Sequence, residues 1–263
     1  MREGNNATTQ KQERVTDMKR TSILFTLVAL LGFASSSYAI VGGKPVASDD
    51  PIARSTVGIV IQGSEGSAIC TGSLLSSSLV LTAGHCAVGM NVQIYIVFAT
   101  NIEQGAKNPA AIRRVVGRRV DPSYIATALG INDSADHSDV ALLSFAGGVP
   151  AGYVPAKLMT RELARMVLKD EARITLAGYG ATDYSATEGS GVLRKINTKI
   201  DKFYASGRSV KVGTSSHGAC HGDSGGPALI NVNGQNYVFA VTSRATETSG
   251  GACTGRAVYS LIF

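Results

Sequence analysis

The 263-residue chain contains no tryptophan, and aromatic residues make up only 6% of it. Long stretches with a helical spacing of apolar residues are also scarce, whereas glycine occurs 30 times. These features argue against a helical bundle and favour many short strands that are joined by tight turns. The length and the 44% of hydrophobic residues suffice for one large all-β domain or two small ones.

The chain also lacks an apolar run long enough for a membrane anchor. The run near the N-terminus, Ile23–Phe33, is shorter than the ~20 residues that span a bilayer. Lys19 and Arg20 precede this run, and Ser37–Ala39 offers small residues at the two cleavage positions. This order is typical of a secretory signal peptide and predicts export. Residues 1–17 are polar and patternless, which fits either an extended leader or a start codon assigned too far upstream.

No strong excess of one charge is present. The chain has 25 basic and 19 acidic residues, which gives a net charge of +6. The excess is modest and dispersed along the sequence, whereas nucleic-acid-binding domains concentrate positive charge on one surface. We therefore expect no nucleic-acid partner.

Cysteine is rare as well. The four cysteines all follow the signal segment, at Cys70, Cys86, Cys220 and Cys253. An even number in an exported chain predicts two disulfides, for which three pairings are formally possible. The sequence contains no Cys-x-x-Cys pair and no His/Cys cluster with zinc-ligand spacing. We accordingly expect neither a metal nor another cofactor.

Short runs of β-branched residues alternate with clusters of Gly, Ser, Asn and Asp, which predicts a β-barrel or sandwich. The runs are Val57–Ile61, Leu79–Thr82, Val92–Phe98, Val140–Phe145, Ile174–Ala177, Val192–Ile200, Tyr237–Thr242 and Ala257–Leu261. Only Thr160–Lys169 has a near-helical spacing, so a single short helix is expected there. The turn Gly147–Pro150 is the best candidate for a boundary between two halves.

Four short motifs carry the chemistry of the sequence. In chain order they are Ile40–Gly43, Leu81–Cys86, Asp139–Leu143 and Gly222–Pro227. The first is weak alone, whereas the Gly-Asp-Ser-Gly-Gly-Pro string of the last is highly specific. In their His, Asp, Ser order and their separations, the motifs resemble the trypsin-like serine protease family. The resemblance covers the chain from Ile40 to about Tyr259.

This resemblance implies an all-β fold of two antiparallel six-stranded β-barrels with the active site in the cleft between them. It also implies three segments: a leader and signal peptide at 1–39, a first barrel at 40–150 and a second barrel at 151–263. The barrels are expected to contribute different catalytic residues, with His85 and Asp139 from the first and Ser224 from the second.

The family resemblance assigns a role to each of these residues. A serine hydroxyl is a poor nucleophile at neutral pH, so Ser224 needs a base that takes its proton. Imidazoles in general titrate near working pH, which makes His85 the candidate for that role. Asp139 is implied to hold the correct tautomer of the ring and to stabilise its protonated form. The backbone N–H groups of Gly222 and Ser224 are implied to stabilise the oxyanion of the tetrahedral intermediate.

Asp223 is implied to pair with a free α-amino group at Ile40, because a buried carboxylate without a partner is unfavourable. Many relatives carry Lys or Arg immediately before this amino group. Here Tyr38 and Ala39 precede it, and they resemble a signal-peptidase site instead. We therefore hypothesise that export cleavage itself produces the active N-terminus.

The cysteines fit the same family pattern. Cys70 with Cys86 is implied to staple the loop that carries His85, and Cys220 with Cys253 is implied to tie the walls of the specificity pocket. Reduction is then expected to loosen the site.

Gly218 stands at the position of the pocket floor, where an Asp would select Lys or Arg at the cut site. The walls align with Ala245 and Ala257, whose methyl groups are expected to make the pocket shallow and apolar. This predicts elastase-like cleavage after Ala, Val or Leu. Further substrate contacts are expected from His221, Ser243 and Arg244.

The expected partners are protein or peptide substrates and protein inhibitors. We expect a monomer that is secreted to the periplasm or the extracellular space and keeps no membrane anchor after cleavage. Two other classes were weighed: a catalytically silent relative that acts as a binding module, and an esterase with a Gly-x-Ser-x-Gly elbow. The complete triad argues against the first and the largely β pattern against the second.

Overall fold

A computed structural model describes residues 40–129, 137–182, 189–247 and 253–263. The predicted signal peptide, within residues 1–39, lies outside the described residues. Strands dominate the described part and form two closed barrels of six antiparallel strands each. The predicted fold class is therefore confirmed.

The first barrel contains six consecutive strands of the sequence. These are β2 (Thr56–Gly63), β3 (Gly66–Ser76), β4 (Leu79–Thr82), β5 (Gln93–Val97), β6 (Ile112–Val120) and β7 (Ala141–Phe145), preceded by the short β1 (Lys44–Pro45). Around the barrel the order is β2, β3, β4, β7, β6, β5. In β7 every second residue is buried, since successive side chains of a strand point to opposite faces. Phe145 thus reaches the interior, where its ring packs edge to face on Phe98.

The second barrel repeats this plan. Its strands are β9 (Arg173–Gly178), β10 (Arg194–Phe203), β11 (Ser209–Gly213), β12 (Pro227–Val232), β13 (Gln235–Glu247) and β14 (Cys253–Leu261), preceded by the short β8 (Lys157–Leu158). The ring runs β9, β10, β11, β14, β13, β12 and back to β9. β1 pairs with β10, so the N-terminal segment is held by the second barrel. β8 adds to β13 in parallel.

All eight runs predicted from the sequence overlap observed strands, so these strand predictions are confirmed. Six strands of the described chain were missed: β3, β6, β11, β12 and the two-residue β1 and β8. β3 is rich in Ser and Gly, and β6 carries four arginines, so neither has the apolar alternation that identifies a strand. Pairing with barrel neighbours overrides that weak local preference.

The expectation of a single helix is wrong. The helix predicted over Thr160–Lys169 is present as α3 (Arg161–Val167), and Thr160 Oγ1 caps it by accepting a hydrogen bond from Leu163 N–H. Two further helices, α1 (Ile102–Ala106) and α2 (Pro122–Ala128), and a 3₁₀ turn at Pro109–Ala111 were missed. α1 and α2 are too short for a periodic pattern, but their caps, Asn101 and Asp121, are recognisable helix starts.

Each barrel has its own apolar core. Leu74, Ile96 and Leu143 are among the fully buried side chains of the first, and Leu176, Phe239 and Tyr259 among those of the second. Within the described ranges, no helix has the length and apolar character needed to cross a membrane. The first barrel ends with β7 and the second begins with β9, whereas the domain boundary assigned at residue 150 stays a prediction.

Candidate active site

His85 and Asp139 meet because β4 and β7 are antiparallel neighbours. Thr82, the last residue of β4, pairs with Ala141, the first residue of β7. His85 follows the end of β4 and Asp139 precedes the start of β7, so both lie at the same end of the first barrel. Sequence-distant residues are in this way brought into contact by strand pairing.

The Asp139 carboxylate holds His85 at two points. Asp139 Oδ2 lies 2.8 Å from His85 Nδ1, and Oδ1 accepts a hydrogen bond of 2.9 Å from the His85 backbone N–H. An ionised carboxylate can only accept, so Nδ1 carries the ring hydrogen. This tautomer leaves Nε2 free of hydrogen and able to take a proton. The Cys70–Cys86 disulfide ties the residue after His85 to β3.

The two side chains differ in exposure. The Asp139 side chain is 4% exposed, whereas 33% of the His85 side chain is open to the cleft. Burial acts to raise the pKa of Asp139, but hydrogen bonds and charge from His85 and a hydrogen bond from Ser243 keep that pKa below its usual range. The carboxylate therefore remains ionised at neutral pH.

The second barrel also positions Asp139. Ser243 on β13 donates its hydroxyl to Asp139 Oδ2 at 2.8 Å. Ser260 on β14 accepts a hydrogen bond of 3.1 Å from the Asp139 backbone N–H. Both serines are buried. The acid of the first barrel is thus fixed by two hydroxyls of the second.

Ser224 lies on the loop of residues 220–226, which we call the nucleophile loop, just before β12. The Ser224 carbonyl accepts a hydrogen bond of 2.8 Å from Thr71 N–H and lies 3.8 Å from Cys86 Sγ. Since Cys86 follows His85 directly, these contacts bring the nucleophile loop against the turn that carries His85. His85 and Asp139 are therefore in direct contact, and the loop that carries Ser224 packs against the turn that carries His85.

Gly222 needs to be glycine for two reasons. Its φ is +94°, a conformation that other residues rarely adopt. A Cβ at this position would also lie 2.8 Å from the Cα of Gly180. The backbone of residues 222–224 therefore forms a tight turn, and the role of its N–H groups as oxyanion donors stays a prediction.

Asp223 is buried, with only 1% of its surface exposed. Its two oxygens accept hydrogen bonds from Gly180 N–H at 2.8 Å and from Cys220 N–H at 2.9 Å. Burial raises the pKa of Asp223 to about 7, although these two backbone bonds and the charge of Arg194 act in the opposite direction. An additional positive charge close to Asp223 would favour its ionised form.

Ile40, the predicted partner of Asp223, is fully buried in the core of the second barrel. Its φ is +52°, which is unfavourable for a β-branched residue. The next residue, Val41, accepts a hydrogen bond of 3.2 Å from Gly218 N–H. The segment that begins at Ile40 is therefore inserted beside the predicted pocket floor.

Backbone fills the space at the predicted pocket floor. A Cβ on Gly218 would lie only 1.7 Å from the carbonyl oxygen of Gly255. Ala245 and Ala257, the predicted walls, pair across β13 and β14. Ala257 is fully buried, whereas Ala245 is partly exposed and packs on a small cluster that includes the Cys220–Cys253 disulfide.

The remaining predicted contacts differ in exposure. His221 and Arg244 are exposed, and Ser243 is buried with its hydroxyl directed to Asp139. In the part of the chain that the structure describes, one group of potential metal ligands occurs, formed by Cys70, His85 and Cys86. Both of its sulfur atoms belong to the disulfide, so they are not thiolate ligands.

A comparison with protein families matches a model described as Trypsin to residues 40–261. The chain belongs to the trypsin family. As a member of this family it is a serine-type endopeptidase that acts on protein or peptide substrates.

Individual relatives of this trypsin-family chain have modest identity. It is 28% identical over 188 residues to chymotrypsin-like elastase family member 1 of Macaca fascicularis, which covers 66% of this chain and 67% of the relative. It is 29% identical to brachyurin of Leptuca pugilator over 177 residues, and this match covers 64% of this chain and 73% of brachyurin. It is 27% identical to a trypsin of Saccharopolyspora erythraea over 217 residues, and this match covers 78% of this chain and 86% of that trypsin.

Reasoning from the sequence missed two residues of this trypsin-family site, Thr71 and Ser260, and the hydrogen bond of the Ser243 hydroxyl to Asp139. Each is a small hydroxylated residue within a strand, where serine and threonine are common without any role in a site. Only their contacts to the nucleophile loop or to Asp139 distinguish them, so no local signal could have identified them.

Proposed function

We propose that this endopeptidase cleaves peptide bonds through an acyl-enzyme formed on Ser224, with His85 as general base and Asp139 as its orienting carboxylate. The observation that carries the proposal is the contact between Asp139 Oδ2 and His85 Nδ1 at 2.8 Å, beside the nucleophile loop. It is the arrangement that a serine hydroxyl needs for activation at neutral pH.

In this mechanism Ser224 Oγ attacks the carbonyl carbon of the substrate while His85 Nε2 takes the hydroxyl proton. The protonated ring then returns this proton to the leaving amine, and the acyl group stays on Ser224. Water then attacks the acyl carbon while Nε2 takes one of its protons, and the ring passes this proton to Ser224 Oγ as the C–Oγ bond breaks and the acid product leaves. Asp139 stabilises the positive ring in both halves of the cycle without accepting its proton.

The oxyanion that forms in both halves is stabilised by the backbone N–H groups of Gly222 and Ser224. The positive φ of Gly222 and the tight turn beside the cleft support this assignment. Donors of this kind act mainly on the transition state, and loss of one costs about 10²- to 10³-fold in kcat.

Activation is proposed to require a free amino group at Ile40. The raised pKa of the buried Asp223 supports this step, since a carboxylate in that position gains from a nearby cation. The burial of the Ile40 side chain and the pairing of Val41 with Gly218, on the segment that leads to Asp223, support this step. Signal cleavage after Ala39 is the proposed source of this terminus, and N-terminal sequencing of the exported protein tests it.

Cleavage after small or medium aliphatic residues, as in elastases, is the proposed specificity. The Gly255 carbonyl beside Gly218 supports it, because it fills the base of the pocket with backbone. A pocket closed in this way has no room for a carboxylate at position 218 and little depth for a long side chain. A peptide-library digest dominated by Ala, Val or Leu at the cut site is expected, and dominance of Arg or Lys would overturn this specificity.

Secretion and a monomeric state complete the proposal. The two disulfides are typical of an oxidising compartment, either periplasmic or extracellular. All proposed catalytic residues come from one chain, so a single copy suffices for activity. No membrane anchor is expected after signal cleavage, and protein inhibitors that fill the cleft are the expected regulatory partners.

The test of the catalytic assignment compares the wild-type protein that starts at Ile40 with its Ser224→Ala variant. A serine-directed phosphonate should label the wild type at Ser224 with loss of activity, and the variant should be neither labelled nor active. A wild type that cleaves peptides but is labelled at another serine would contradict the assignment.

A further inference from the structure

Thr71 of β3 contacts the nucleophile loop at two carbonyl groups. Its backbone N–H donates to the Ser224 carbonyl at 2.8 Å, and its hydroxyl Oγ1 donates to the Gly222 carbonyl at 3.0 Å. Thr71 is fully buried. One residue of the first barrel thus binds the loop of the second barrel on both sides of Asp223.

The direction of the hydroxyl bond is fixed by a third group. The backbone N–H of Tyr179 donates to Thr71 Oγ1 at 3.1 Å, so the oxygen acts as acceptor there. A hydroxyl has a single hydrogen, and the Gly222 carbonyl can only accept. The hydrogen of Thr71 Oγ1 therefore points at the Gly222 carbonyl. The Tyr179 N–H, the Thr71 hydroxyl and the Gly222 carbonyl form a chain of two hydrogen bonds that run in the same direction.

The peptide unit between Gly222 and Asp223 is consequently held at both ends. Thr71 Oγ1 donates to the carbonyl of this unit, which belongs to Gly222. The N–H of the unit belongs to Asp223 and donates to the Cys220 carbonyl at 3.1 Å. The methyl group of Thr71 adds packing, since a Cβ on Gly226 would lie 3.2 Å from Thr71 Cγ2. Glycine at position 222 rotates easily, so without these bonds this peptide unit would be the flexible part of the loop.

We propose that Thr71 is a positioning residue for the oxyanion hole: its hydroxyl anchors the Gly222 carbonyl and its backbone N–H anchors the Ser224 carbonyl, so Thr71 fixes the backbone of the segment whose Gly222 and Ser224 N–H groups are the proposed oxyanion donors. The inference rests on the proposed function, in which Gly222 and Ser224 supply the oxyanion donors. Thr71 itself touches no reacting atom. Its effect is therefore expected on the transition state and not on substrate binding.

Thr71→Val removes the hydroxyl and preserves the branched shape of the side chain. We expect kcat to fall about tenfold, with KM within about twofold of wild type, because oxyanion donors act on the transition state. Affinity for a peptide aldehyde, whose adduct with the nucleophile carries an oxyanion, should fall by a similar factor. Affinity for the matching peptide alcohol, which forms no adduct, should not change.

Thr71→Ser keeps the hydroxyl and should retain most of the wild-type kcat. Thr175→Val on β9 is the control, since its hydroxyl donates only to Asn197 Oδ1 on the exposed surface. It should leave both kinetic constants at wild-type values. If the valine variant does not fold, Thr71→Ser and Thr71→Ala give the same comparison, because they differ only in the hydroxyl.

Equal kcat in wild type and Thr71→Val, or in the serine and alanine variants, would overturn the inference. So would equal losses of aldehyde and alcohol affinity, which indicate a merely structural role. Phosphonate labelling of Ser224 in the wild type is measured in parallel. Labelling with an unaffected Thr71→Val refutes only the role of Thr71, whereas no labelling at Ser224 refutes the proposed function as well.

Discussion

Asp139→Asn tests the orientation of His85 most directly. The carboxylate accepts from three donors, which are the ring and backbone N–H groups of His85 and the hydroxyl of Ser243. An asparagine offers one oxygen and one NH₂ group in the same space. If its oxygen replaces Oδ2, the NH₂ group faces the His85 backbone N–H across 2.9 Å, where two donors repel each other.

The reverse orientation avoids that repulsion because His85 Nδ1 can lose its hydrogen and accept from the NH₂ group. The ring hydrogen then moves to Nε2, and the nitrogen that faces the nucleophile can no longer take a proton. We expect kcat/KM to fall by about 10⁴ near neutral pH, the size of effect that the wrong tautomer has in this triad. This factor corresponds to about 5.5 kcal/mol of transition-state stabilisation.

The assay measures kcat and KM on a peptide p-nitroanilide, together with the rate of phosphonate labelling at Ser224. Asp201→Asn is the matched control, since this partly exposed acid lies on β10 and approaches Lys211 and Arg256, at 3.7 and 3.9 Å. Its effect on activity should be less than twofold. A folded Asp139→Asn protein that keeps more than about a tenth of wild-type kcat would refute the tautomer argument.

Three further predictions concern stability. In an uncleaved Ser224→Ala chain, the free energy of unfolding measured by urea denaturation should fall as pH rises from about 4 to about 7. The reason is that Asp223 keeps its proton in the folded state up to a pKa of about 7, whereas in the unfolded state it loses the proton near 3.8. Asp223→Asn should remove this slope, and a slope that persists would contradict the assignment. Gly218→Ala should lower the free energy of unfolding by about 1–3 kcal/mol through overpacking against Gly255. Gly117→Ala is the control and should be nearly neutral, because its Cβ would have no neighbour closer than 3.6 Å. Equal effects of the two substitutions in thermal unfolding would argue against a filled pocket floor. Replacing Cys220 and Cys253 together by alanine should cost about 4 kcal/mol of unfolding free energy, from the loop that the disulfide closes, and a chemical denaturation curve unchanged from wild type would exclude this contribution.

Local sequence identified the groups that carry chemistry in this protein. The strings around His85, Asp139 and Ser224 are specific because each combines a reactive side chain with the small residues that its turn requires. β-branched runs such as Leu79–Thr82 likewise identified many strands, since alternating burial leaves a direct trace in the sequence. The family and the all-β class followed from these two kinds of signal.

Tertiary structure decided what surrounds those groups. Thr71, Ser243 and Ser260 act through bonds to residues more than a hundred positions away, and no local pattern marks such partners. The close approach of the Gly255 carbonyl to Gly218 is of the same kind, because it depends on where these two backbone segments lie relative to each other. A sequence records the preferences of each segment, whereas hydrogen-bond partners across two barrels depend on how the segments pack.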